Sequence, residues 1–196
     1  MIQNAYEDAS EHLENQKLDL LLDDFIAHYA ANMPGLSQPY PGLLSALDNL
    51  KQVGCNFAIC TNKTEMLSKL LMDALGIAHQ FEANCGQDTF SVRKPHPDHL
   101  LKTIEMAGGD RENAIMIGDT LAHDIIGGRL VNIDTCLTKT GIHEASFQNL
   151  ENPAEINKAL TLLTNQYNHV KPTYLVDKLS WGDPLPDRKH KKRLDR

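Results

Sequence analysis

The chain has 196 residues, 41% of them hydrophobic, and a formal net charge of −7. That suffices for one α/β domain with a real core and is too short for two comfortable ones. No apolar run is long enough to cross a bilayer, and residues 1–14 are polar and acidic, unlike a signal or transit peptide.

The expected compartment is therefore cytoplasmic. Residues 188–196 carry six Lys/Arg and one Asp, which leaves 13 basic against 25 acidic residues elsewhere. An acidic body with a basic end is not the footprint of a nucleic-acid-binding domain. Residues 182–196 are expected to be a solvated, disordered tail. Four cysteines, Cys55, Cys60, Cys85 and Cys136, show no C-x-x-C spacing and read as reduced core residues.

In chain order, Leu18, Leu21, Leu22, Phe25, Ile26 and Tyr29 recur at helical spacing and predict an amphipathic helix. Residues 1–16 are expected to be helical too. After Ser37-Gln38-Pro39-Tyr40-Pro41-Gly42, a second helix is predicted, with Pro41 in its first turn, Leu43, Leu44, Leu47, Leu50 and Val53 on its apolar face, and Gly54 at its end. Asn56–Cys60 reads as a buried strand. Asn62 and Glu65 then have the spacing of a capping box, opening a helix through Leu67, Leu70, Leu71, Ala74 and Leu75.

Phe81–Cys85 is a weaker strand. Arg93-Lys94-Pro95-His96-Pro97 reads as a rigid extended loop, and Pro97 starts a helix closed by Gly108-Gly109. A strand over 114–117 leads to Gly118-Asp119-Thr120, followed by a helix through Ile125, Ile126 and Leu130. Further elements are a strand over 133–138, a helix carrying Ile156, Ala159, Leu160 and Leu163, and a closing strand at 173–176. This alternation predicts an α/β fold with a mostly parallel sheet and helices on both faces. All strand ends, including Thr61 and Asp119, would then lie along one edge.

Chemistry converges at that edge. Thr61 follows a strand at a helix N-terminus and offers a hydroxyl and backbone N–H groups to a phosphate oxygen. Lys94, in a proline-stiffened loop, can neutralise a phosphoryl group. Asp119 and Asp124 supply the oxygen ligands that suit Mg2+, directly or through water. Singly these are a strand end, a surface lysine and a first-turn acid. Their order and strand context give them weight.

At this point the chain resembles a family. Cys60-Thr61-Asn62-Lys63, then Lys94-Pro95-His96-Pro97, then Gly118-Asp119-Thr120 with Asp124 are similar to the second, third and fourth motifs of haloacid dehalogenase-type phosphatases, most of all the phosphoglycolate phosphatase group. Tyr40-Pro41-Gly42 matches the return into the core after a helical cap. The resemblance spans about residues 18–145. It implies a Rossmann-like core over 39–181, a remnant of a helical cap over 1–38, and a Mg2+-dependent phosphate monoester hydrolase acting through an aspartyl-phosphate. It further implies that Thr61 and Asn62 hold the phosphoryl group, Lys94 neutralises it, Asp119 ligates the metal and Asp124 supports the metal shell. The substrate would be a small phosphorylated metabolite.

The family's first motif, Asp-x-Asp at the end of a central strand, is not found in the sequence. The chain is expected to begin inside the cap, without the nucleophile and general acid, and to be inactive or weak. The central first strand would be missing, so that the strands ending at Thr61 and Asp119 either pair directly or leave an open edge. The segment around Thr140-Gly141-Ile142-His143 and residues 172–181 looks more like the superfamily's nucleotide phosphatases. The alternative reading is a non-catalytic phosphate-binding or scaffold member, or a truncated gene product. A third is an adaptor acting through the basic tail. The cap helix offers a homodimer contact, and no membrane partner is expected.

Overall fold

The computed structural model describes residues 13–180 together with Tyr6, Asp8 and Ala9. The expected basic tail at 182–196, and most of the helix expected over 1–16, lie outside the described residues. Helix α1 (Asn15–Ala31) is followed by α2 (Leu43–Gln52), β1 (Ala58–Cys60), α3 (Glu65–Ala74), β2 (Ala83–Cys85) and α4 (Pro97–Met106). Then come β3 (Ile115–Gly118), a π-helical turn (Leu121–Ile125), α5 (Ile126–Leu130), β4 (Asp134–Thr138), α6 (Glu144–Phe147), α7 (Pro153–Asn165) and β5 (Tyr174–Val176).

All strand pairing among the described residues is parallel, in two sheets rather than one. β1 pairs with β2, with Cys60 opposite Cys85. β3, β4 and β5 form the second sheet, with Gly118 opposite Leu137 and Thr138 opposite Val176. β1 and β3 are not hydrogen-bonded to one another. Their ends are joined instead by side chains, as described below.

The burial follows the pairing. β4 is central in its sheet and is buried from Thr135 to Thr138, whereas all three residues of β1 are half-buried. One apolar cluster gathers Leu121, Ile125, Leu137, Phe147, Leu160 and Leu163, so α7 closes over the π turn and β4. A second joins Leu100 of α4 to Met116, Val131 and Ile133, with Cys60 packed against it. Between β4 and the approach to β5, Thr135 and Thr173 exchange reciprocal 3.1 Å bonds, each hydroxyl accepting the other's backbone N–H. That satisfies four polar groups that would otherwise be buried without partners.

Several local expectations are corrected. Leu22 and Phe25 of α1 are exposed, so its half-buried stripe is narrower than the sequence pattern and runs through Leu18, Leu21, Ile26 and Tyr29. Helix α2 begins two residues after Pro41, because Gly42 takes φ +91° and stops the helix from extending back. The Asn62–Glu65 capping box does not form. Thr64 holds the N-cap position, Asp88 accepts the Glu65 N–H at 2.7 Å, and Glu65 itself binds Thr89 and Lys69. The Lys94 loop is a turn rather than extended chain. His96 N–H donates to Arg93 C=O at 2.9 Å, and the Lys94–Pro95 peptide is cis.

Candidate active site

Strand β1 hands over to the site through its backbone. Thr61 N–H donates to Cys85 C=O at 2.9 Å, extending the ladder one residue past the strand. Its hydroxyl oxygen accepts Lys63 N–H at 3.1 Å, a local turn bond that leaves the hydroxyl proton free to donate. The neighbouring Asn62 turns inward. Its amide donates to the Lys94 carbonyl at 3.1 Å, and its Oδ1 is buried without a protein partner. A buried acceptor in this state calls for an explanation, and an unfilled donor position at a ligand site is one.

Lys94 crosses from this half of the molecule to the other. Its ammonium donates to Asp124 Oδ1 at 2.6 Å, with side chains only 12% and 5% exposed. Asp124 lies in the π-helical turn, and its second oxygen accepts Thr120 N–H at 3.0 Å. Wide turns of this kind interrupt helices mostly at functional sites. Here the turn brings the Asp124 carboxylate back over Gly118, where a Cβ would lie 2.2 Å from Asp124 Oδ2. Only glycine fits.

Asp119 stands half-buried at the end of β3. Oδ1 accepts the Thr120 hydroxyl at 3.2 Å, and Oδ2 accepts Ile142 N–H at 3.0 Å. Gly141, at φ +84°, passes so close that a Cβ would sit 2.2 Å from the same Oδ2. The loop after β4 thus cradles the carboxylate that follows β3. His143 stands behind it, 8% exposed, with Nε2 accepting Leu121 N–H at 3.2 Å. Burial pushes the His143 imidazole below its ordinary value, against the pull of the Asp119 charge. A cavity of about 210 Å³ opens beside Asp119, lined by Tyr40, Leu43, Ile117, Thr138, Gly141 and Leu179 among others.

Of the five residues expected at the site, Asn62, Lys94 and Asp124 are linked by hydrogen bonds, Asp119 is connected to them through Thr120, and Thr61 adjoins Asn62 in the chain, at the carboxyl ends of β1 and β3. Ligands bind at this edge in open parallel sheets. Asp124 is engaged by the Lys94 ammonium and by Thr120 N–H. Sequence reasoning placed Asn62 at the phosphoryl group and in a helix cap but did not foresee its bond to Lys94 C=O, and Gly141 with Ile142 was not connected to Asp119. The hydrogen-bonding His99 behind Cys60 was also unforeseen: its Nε2 meets Gly86 C=O at 2.8 Å and its Nδ1 faces the Cys60 thiol at 3.3 Å. Burial pushes the Cys60 and Cys85 thiols up, as befits core cysteines.

No group of three or more His, Cys, Asp and Glu side chains converges as a metal cage among the described residues. Mg2+ does not require one, since it takes one or two carboxylates and fills its octahedron with water and phosphate oxygens. Asp119, in its glycine-lined cradle, fits that demand. No described helix is long and apolar enough to cross a membrane.

Comparison with known proteins agrees with the geometry. A phosphoglycolate phosphatase of Agrobacterium fabrum (strain C58) is 47% identical over 130 residues, which is 66% of this chain and 55% of that protein. A protein of Haemophilus somnus 129PT, described as a predicted phosphoglycolate phosphatase, superposes with a TM-score of 0.72 at 21% identity, covering 91% of this chain and 70% of that one. A HAD hydrolase of Bacillus subtilis, solved bound to magnesium, superposes with a TM-score of 0.52 at 22% identity over 70% of this chain and 51% of its own. The chain thus spans about half the length of the curated Agrobacterium fabrum relative. With the haloacid dehalogenase-like hydrolase family model matching residues 1–138, and the motif residues lying at the carboxyl ends of β1 and β3, the chain belongs to the haloacid dehalogenase-like hydrolases.

Proposed function

We propose that this edge binds the phosphoryl group of a small phosphate monoester, of the phosphoglycolate type, as the phosphate-holding half of a Mg2+-dependent hydrolase site. The observation that carries the reading is the Lys94 bridge: one ammonium, 2.6 Å from Asp124 and tied through its own carbonyl to Asn62. It gathers three distant sequence segments around a single fixed cation. The name shared by the relatives supports the substrate class.

In this reading the Thr61 hydroxyl and the Asn62 N–H donate to phosphoryl oxygens, and Lys94 offsets their charge. Asn62 holds the Lys94 carbonyl, so the ammonium keeps its position when substrate arrives. Asp124 keeps Lys94 aimed. Asp119 would hold Mg2+, which when bound supplies charge neutralisation on the transferring group. The described residues bring two carboxylates to the edge, and both are engaged, Asp124 by Lys94 and Asp119 by Thr120 and Ile142. This reading gives Asp124 to Lys94 and Asp119 to the metal and leaves neither as the nucleophile, so turnover by the chain itself is proposed to be weak or absent.

A second reading, phosphate binding without catalysis, is favoured by that same engagement. The test is binding of inorganic phosphate by calorimetry with and without Mg2+, beside hydrolysis of an aryl phosphate. Phosphate affinity that falls at least tenfold in Lys94→Met, with little or no hydrolysis, is expected. Metal-dependent hydrolysis that survives Lys94→Met would sink the assignment of the lysine. No phosphate binding by the folded chain would sink the whole reading.

A further inference from the structure

Beside the phosphate edge stands a second cation that the scheme above leaves unused. Lys63 is half-buried between the core and α1. Its Nζ donates to the Tyr29 hydroxyl at 2.8 Å and lies 4.4 Å from the centre of the Tyr29 ring. The tyrosine ring is stacked in turn on Phe25, 6.0 Å away and 9° from parallel. Among the described residues Lys63 forms no ion pair, unlike Lys69, Lys94 and Lys139. A hydroxyl and a π face favour an ammonium but leave its charge whole. The backbone is anchored as well, with Lys63 N–H on the Thr61 hydroxyl oxygen and Lys63 C=O accepting Gln87 N–H at 2.9 Å.

We propose that Lys63 and Tyr29 form a second anion site, which reads a carboxylate lying close to the phosphate on the same substrate. The hydrogen-bond inventory supports a pair of donors. Because Lys63 donates to Tyr29 Oη, the phenolic proton is left to donate elsewhere, and the ammonium has two further protons. One carboxylate oxygen can take the ammonium while the other takes the phenol. Lys63 is two residues from Thr61 in the chain and its ammonium meets Tyr29 of α1, so the proposed carboxylate lies on the α1 side of the phosphate. A single ammonium matches a single negative charge. A substrate such as phosphoglycolate, with one methylene between ester oxygen and carboxylate, would satisfy both cations at once. A half-buried, unpaired ammonium is disfavoured until an anion arrives, so the second charge adds affinity where a neutral alcohol adds none. This inference rests on the phosphate-binding reading of the edge and names the substrate feature that the edge alone leaves open.

The test compares three probes on the full chain in the presence of Mg2+: inorganic phosphate, ethyl phosphate and phosphoglycolate, each by calorimetry. Ethyl phosphate keeps the phosphate dianion and lacks the carboxylate. The wild-type chain is expected to prefer phosphoglycolate over ethyl phosphate by roughly tenfold or more, the scale of one charge-assisted contact. In Lys63→Met that ratio should fall to near one. Tyr29→Phe, which keeps the ring under the ammonium, should lose part of it, and Lys63→Arg should retain most of it. Circular dichroism and thermal melts confirm that each variant is folded. An unchanged ratio in folded Lys63→Met, or a wild-type ratio near one, overturns the proposal while leaving the phosphate site intact. Loss of affinity for all three probes in Lys94→Met, with the ratio preserved, separates the two sites. If no probe binds the wild-type chain, the phosphate reading itself fails and this inference falls with it.

Discussion

The two sheets behave as different materials. In the three-stranded sheet, β4 has neighbours on both sides and is buried along most of its length, and the acids at its edge are locked by backbone donors and close-packed glycines. In the two-stranded sheet, β1 pairs on one side and its side chains stay half-buried. The first half supplies rigidity and negative charge, the second a hydroxyl, an amide and the two lysines. They are joined by apolar packing of Cys60 and Leu100 against Met116 and, at the site, by polar contacts: Lys94 to Asp124, and Asn62 to the Lys94 carbonyl. β1 and β3 do not pair, so at their carboxyl ends the polar contact between the halves falls to these few side chains.

The largest effect should come from cutting the bridge. Asp124→Asn leaves the Lys94 ammonium buried without a counter-charge, at an expected cost of about 3–5 kcal/mol. Urea denaturation would show it as a lowered midpoint with an unchanged slope. A loss below 1 kcal/mol would mean that the halves hold together by other means. Next, Leu137→Ala in β4 empties a fully buried position and should cost about 2–5 kcal/mol, whereas Ile59→Ala in β1 should cost clearly less. Equal losses would abolish the contrast between the sheets. Asn62→Ala removes one bond to the Lys94 carbonyl and should cost about 1 kcal/mol, while weakening phosphate binding by more than its effect on stability. Phosphate affinity unchanged in that variant would reduce Asn62 to a structural tie.

The smallest effect is a pH dependence. The folded His143 is held below its unfolded value near 6.5, chiefly by burial. A histidine with a depressed folded pKa contributes stability that is present above pH 6.5 and lost as pH falls through the folded value, because the unfolded chain binds the proton first. His143→Gln, whose side-chain oxygen can still accept Leu121 N–H, should flatten that acid slope relative to wild type in melts run below pH 6.5. An identical slope in the two proteins would assign the acid sensitivity to other groups.

Much of this was legible in the sequence, for local reasons. Helical spacing of Leu67, Leu70 and Leu71, the short apolar runs ending at Cys60 and Gly118, and Pro97 opening α4 all express propensities that act within a turn or two, and the structure keeps them. The five candidate residues could be read as neighbours because strand ends and helix starts are legible along the chain, and α/β topology sends such ends to one side. The capping box failed for the opposite reason. Asn62 and Glu65 have the right spacing, but Lys94 C=O and Asp88 are reached only after folding, and they offered better partners.

The sequence by itself determined the α/β class, the parallel order of elements and the residue types at the edge, since each depends on periodicity, turn chemistry and spacing along the chain. Tertiary structure alone decided what those residues do to one another. It turned Asp124 from a free acid into the partner of Lys94, closed Gly141 and Ile142 over Asp119, divided the strands into two sheets, and set Lys63 against Tyr29 of α1. These are contacts between residues separated by some 20 to 35 positions. Their energy comes from burial and paired charge, and neither exists until the core has formed around them.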